Sequence, residues 1–120
     1  MKAWIVRESK VEILKGQFER FVMLDGESPS DMYDRLSKTV NEIKGLGSKD
    51  MTDEVVVKKM VRAITTRNYT LVTIIRERPD YKTLTPHDLL GRILAHDVLE
   101  QESKEVIQYI NQSSTTSIKK

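Results

Sequence analysis

Two segments of this chain carry the same helix-starting device. Ser28-Pro29-Ser30-Asp31 and Thr85-Pro86-His87-Asp88 each place a hydroxyl residue first, a proline second and an acid fourth. The hydroxyl oxygen accepts a backbone N–H that a helix start leaves free. Proline suits the first helical position because it has no N–H to satisfy and its φ is already helical. The acid complements the positive end of the helix dipole. Each device therefore commits the residues after it to a helix. The flanking sequences do not match, so the two starts are recurring cap chemistry and no internal repeat.

Apolar spacing extends the helical reading to most of the chain. After Ser28, the residues Met32, Tyr33, Leu36, Val40 and Ile43 line one face, and Gly45-Leu46-Gly47 supplies a stop. Before it, Val11, Leu14, Phe18, Phe21 and Val22 follow three-four steps, which predicts a helix from Ala3 to about Leu24. Gly16 inside that helix costs about 1 kcal/mol relative to alanine. Asp25-Gly26 ends it, with Gly26 suited to the left-handed cap position. A third helix opens near Thr52, with Val55, Val56, Met60, Val61 and Ile64 as its stripe and Lys59 and Arg62 on the polar side. Thr65-Thr66-Arg67-Asn68 is a polar connector. A short fourth helix runs from Tyr69 to Arg78, although its β-branched residues also fit a strand, and Pro79 closes it. After Thr85, Leu89, Leu90, Ile93, Leu94 and Val98 share a face, and the helix can run on through Val106, Ile107 and Ile110. The expectation is an all-α fold, a compact bundle of about five helices. Residues 1–110 form the helical domain, and the polar residues 111–120 form a flexible tail.

Composition narrows the function classes. With 120 residues the chain fits one domain, large enough to bury roughly two thirds of its unfolded surface. There is no cysteine, which excludes disulfides, thiolate metal sites and a cysteine nucleophile. Apolar residues make up 38% in short runs, so no membrane span and no secretion signal are expected, and a cytoplasmic location fits. The formal charge is only +2, and bases are interleaved with acids, as in Arg76-Glu77-Arg78. Nucleic-acid binding needs a concentrated positive face, so none is expected through this segment.

Catalytic constellations are equally sparse. His87 and His96 fall on one predicted helix, and at about 100° per residue they point to opposite faces. They cannot share a metal. His96 and Glu100 lie one turn apart, which is an ordinary surface pair and two ligands at most. No phosphate-binding glycine motif is present. Acid pairs such as Asp53-Glu54 sit in helix first turns, where the dipole already accounts for them. No catalytic residue, metal or cofactor is expected, and the chain does not read as an enzyme. Amphipathic helices instead suggest association with a like chain. Trp4, Ile5, Phe18 and Phe21 are the candidate self-association residues, with packing on their own bundle as the competing reading for Trp4.

The order of the pieces resembles the capsid region of the Gag polypeptide of copia-type LTR retrotransposons. The resemblance is carried by Phe18-Glu19-Arg20-Phe21 and Met23, then by Gly26-Glu27-Ser28 with Asp31-Met32-Tyr33-Asp34-Arg35. It continues through Val40-Asn41-Glu42-Ile43-Lys44, Leu46-Gly47 and the run from Val57 to Ile64. It closes on Leu84-Thr85, Asp88-Leu89-Leu90-Gly91 and Leu94 to Asp97, covering roughly residues 11 to 102. The chain departs from the family pattern at Ile64-Thr65, where a Leu-Pro is common. The family's zinc knuckle, which binds RNA, has no counterpart in these residues. The resemblance implies a capsid-like helical domain, part of a longer polypeptide, that self-associates as a dimer or higher oligomer to build virus-like particles. The alternative is a domesticated Gag-derived module that binds other proteins without assembling particles.

Overall fold

The computed structural model describes residues 3–118, with side chains from residue 5 to residue 112. Five α-helices make up the bundle: α1 (Ala3–Glu19), α2 (Pro29–Gly45), α3 (Asp53–Thr65), α4 (Tyr69–Arg76) and α5 (Pro86–Ile118). A single 3-10 turn, Tyr81–Thr83, joins the last two. No strand occurs among the described residues, so the all-α expectation holds.

The start devices work as the sequence chemistry requires. Ser28 Oγ accepts the Asp31 N–H at 3.1 Å, and Thr85 Oγ1 accepts the Asp88 N–H at 3.1 Å. Thr52 and Asn68 cap α3 and α4 in the same way. At the end of α2, Gly47 adopts φ +97°. The Ser48 N–H then reaches Ile43 O and the Gly47 N–H reaches Lys44 O, closing a Schellman motif over the last carbonyls.

The core gathers around α3, whose Val56, Val57, Met60, Val61, Ala63 and Ile64 are all buried. Met32, Leu36, Val40 and Ile43 of α2 meet them, as do Leu71, Val72 and Ile75 of α4 and Leu89, Leu90 and Ile93 of α5. α1 and α5 both run antiparallel to α2. Ile13 and Leu14 of α1 lie beside Gly45 and Leu46 at the end of α2, whereas Phe21, just past α1, sits under Arg35 near its start. Pro86 at the start of α5 lies beside Val40 and Lys44, and Asp97 and Glu100 lie beside Pro29. The beginning of α1 and the end of α5 therefore project past opposite ends of the bundle. The 33-residue α5 alone is about 50 Å long, and the molecule measures 83 Å along its longest axis.

Several sequence expectations need correction. α1 stops at Glu19, not near Leu24. Phe21 and Met23 are buried while Val22 and Leu24 are exposed, which is the two-residue alternation of an extended segment. Three-four spacing and two-residue spacing coincide over so short a run, so apolar spacing alone overextends the helix. Gly26, at φ +73°, does not cap a helix; it serves a turn closed by the Glu27 N–H on Leu24 O at 3.0 Å. α4 ends at Arg76, two residues early, with the Arg78 N–H turning back to Ile75 O. Tyr69, the first residue of α4, is 70% exposed and stands outside the core. Lys59, expected on a polar face, is buried, because α3 is covered on more than one side. Finally, α5 crosses the boundary expected at residue 110 and continues to Ile118. The stretch from Asn111 to Ser117 contains no glycine or proline to interrupt the backbone hydrogen-bond series. Residues 119 and 120 of the expected tail lie outside the described residues.

Candidate self-association surface

Of the four residues expected to mediate self-association, Phe18 and Phe21 belong to the core, at 2% and 8% exposure. Side chains buried this deeply offer a partner no surface. Phe18 packs in the cluster with α2 and α3, and the Arg35 guanidinium covers the Phe21 ring at 4.2 Å. Ile5 lies on the projecting start of α1 and is 37% exposed. Trp4 is part of α1, but its side chain lies outside the described residues.

The larger apolar surface is on α5. Every residue from Asp97 to Gln112 is exposed, including Val98, Leu99, Val106, Ile107, Tyr109 and Ile110. Leu99, Val106 and Ile110 form a stripe rotated by roughly 125° from the face that buries Leu89, Leu90 and Ile93, at about 100° per residue. The helix therefore has two apolar faces, one used by the bundle and one left on the surface. Leu94 and Val98, expected on the core face, lie roughly 95° and 135° from its centre at about 100° per residue. They turn away from the bundle and stand 37% and 56% exposed, while Asp97 and Glu100 take the bundle-facing positions beside Pro29.

A second apolar surface lies at the opposite end of the molecule. Lys10, Ile13 and Leu14 of α1 and Glu42, Gly45 and Leu46 of α2 line an open groove of about 430 Å³. Ile13 is 62% exposed there, and Val6, two turns earlier on the same side of α1, is 40% exposed.

Charged groups between these surfaces are mostly engaged in holding the fold. Arg35 donates through Nε to Glu27 Oε2 and through Nη2 to Glu27 Oε1, both at 2.9 Å, and Nη2 also reaches Val22 O at 2.6 Å. Arg67 donates to Glu27 O and, at 2.5 Å, to Leu24 O. The hydrogen bonds from Arg35 hold the Glu27 carboxyl below the usual carboxylate range. Arg92 binds Asp80 with both guanidinium arms and lowers its pKa, with Arg78 adding to the effect. Lys15 pairs with Asp50 at 2.5 Å, which raises the ammonium pKa and ties α1 to the segment before α3. Lys59 Nζ donates to Glu19 O at 3.3 Å and lies 5.2 Å from the Phe18 ring centre. This seats a cation at the negative end of α1.

The two histidines fall in different surroundings. His87 is exposed in a shallow cleft with Tyr33, their ring centres 6.5 Å apart. His96 Nδ1 is 3.8 Å from a Glu100 oxygen, and Asp97 brings a third donor, all within 4.8 Å of one another. Helical spacing picks out the His96–Glu100 pair but not Asp97, which adjacency along the chain would have supplied. Among the described residues, no helix is long and apolar enough to cross a membrane. No family model, curated protein or solved structure matches this chain.

Proposed function

We propose that this chain is a structural, self-associating helical module of the Gag capsid type, working by protein–protein contact and without catalysis or a cofactor. The observation that carries the reading is the pair of apolar helix surfaces left uncovered at opposite ends of the bundle. Val98, Leu99, Val106, Ile107 and Ile110 are each more than half exposed on α5, and Ile13 is so on α1. Exposed apolar side chains grouped on one helix mark interaction surfaces more often than singly scattered ones do. The resemblance to copia-type Gag supplies the type of assembly. Its Gly26-to-Arg35 segment is also a structural unit here, since Glu27 and Arg35 clamp the approach to α2.

RNA binding has less support in these residues. Arg35 and Arg67 are engaged with Glu27 and with backbone carbonyls, and Arg92 with Asp80. The reading places the protein in the cytoplasm, where such elements assemble.

Light scattering on the purified chain across a wide concentration range tests the proposal, with electron microscopy of the concentrated sample. A mass that grows with concentration supports self-association, and regular particles support the capsid type. A discrete small oligomer without particles would favour the domesticated module. A strict monomer at every concentration defeats the assembly reading for this segment.

A further inference from the structure

Resting on the self-association reading, the two surfaces at opposite ends suggest how copies join. We propose that the exposed second half of α5 from one copy docks into the α1–α2 groove of the next copy, head to tail. The stripe of Leu99, Val106 and Ile110 would lie against Val6, Ile13, Leu14 and Leu46.

Charge favours this pairing over one between two α5 ends. From Asp97 to Gln112 the helix carries four acids, Asp97, Glu100, Glu102 and Glu105, against one base, Lys104. Two such segments side by side would set like charges together, which is unfavourable along paired helices. The groove adds no such repulsion, because its rim is close to charge balance. Lys10 and Glu42 both line it, and Lys38 lies one turn before Glu42 on the same face of α2. Glu8 and Glu12, at about 100° per residue, point to the far side of α1.

Position and area agree with charge. The groove is at the end of α2 and the α5 stripe projects past its start, so one copy cannot satisfy itself. A contact between unlike patches is heterologous and propagates from copy to copy, forming rings or open arrays. The groove is lined by six residues, fewer than the roughly 20–30 a side of a standard stable pair. A single joint is therefore weak, and strength comes from repetition.

Two double variants of the full chain test the joint. Val106→Glu with Ile110→Glu spoils the helix, and Val6→Glu with Ile13→Glu spoils the groove. All four positions are at least 40% exposed, so the melting temperature should hardly move. Sedimentation velocity should show association weakened about a hundredfold in each variant alone. Mixing the two variants should restore one joint, because each keeps the surface the other has lost. The mixture should stop at a one-to-one complex. Parental association in either double variant, or no complex on mixing, would overturn the head-to-tail joint while leaving self-association in place. A wild-type chain that stays monomeric would overturn both.

Discussion

Arg35 holds Glu27 with two parallel hydrogen bonds of 2.9 Å while its guanidinium lies 4.2 Å above the Phe21 ring. One side chain thus fixes the turn before α2, the Val22 carbonyl and an aromatic core residue. Lysine cannot reproduce a planar, two-armed contact. Arg35→Lys is expected to cost about 1–2 kcal/mol, near the low end for charged hydrogen bonds because solvent reaches the guanidinium. Urea denaturation at neutral pH measures it, and a loss below about 0.3 kcal/mol would argue against the clamp.

The same pair has a pH signature. Glu27 titrates lower in the folded chain than in the unfolded one, chiefly through Arg35. Its stabilisation is then complete above the unfolded carboxylate pKa and is lost as pH falls through the folded value. The stability gap between wild type and Arg35→Met should be wide at pH 7 and should narrow as pH falls through and below the usual carboxylate range. A gap that stays constant across that range would mean the carboxylate adds nothing to the clamp.

Phe18 and Ile13 stand five positions apart on α1 and should behave as opposites. Phe18 is 2% exposed in the core, whereas Ile13 is 62% exposed on the groove. Phe18→Ala should cost about 3–5 kcal/mol, from lost burial and the cavity left behind. Ile13→Ser should stay within about 0.5 kcal/mol in dilute solution, where no second copy covers it. Thermal melts of both variants at low concentration check the assignment. A comparable loss from Ile13→Ser would place that side chain in the core.

The sequence made the helices legible wherever local chemistry acts alone. The Ser28, Thr52 and Thr85 starts, the Gly47 stop and the stripes of α2 and α3 come from caps and spacing, which need no knowledge of the partner. What it concealed depends on what lies opposite. Lys59 looks like a solvated residue until α1 ends above it and supplies a carbonyl. Phe21 continues a helical period, yet it belongs to an extended segment held by Arg35, eight residues beyond Glu27. The α5 surface was hidden for the same reason. Leu94 and Val98 read as a run-on of the core stripe, but the positions that meet the bundle beyond Ile93 are the acids Asp97 and Glu100, and the apolar residues turn away from it.

Glycines separate backbone need from mere tolerance. Gly47 holds φ +97°, where an added Cβ is strained although nothing crowds it. Gly91 is inside α5 with open space around the same position. Gly47→Ala should destabilise by about 1–2 kcal/mol, and Gly91→Ala should stabilise by about 0.5–1 kcal/mol. Differential scanning calorimetry of the two variants should show melting shifts of opposite sign.

Lys59 offers the sharpest test of how α1 is anchored. Its ammonium is nearly enclosed, donates to the Glu19 carbonyl at 3.3 Å and faces the Glu19 carboxylate at 4.0 Å. Methionine keeps the length and the contact with Phe18 but removes the donor and the charge. Lys59→Met should therefore cost about 1 kcal/mol, the worth of one charged contact at a helix end. Lys59→Glu should cost more than about 3 kcal/mol, because it buries a carboxylate against the negative end of α1. Hydrogen exchange distinguishes this from a general loss of packing. In Lys59→Met the amides of the last turn of α1 should exchange faster while those of α4 keep their relative protection. Equal acceleration in both helices would mean that Lys59 supports the core as a whole and not the end of α1.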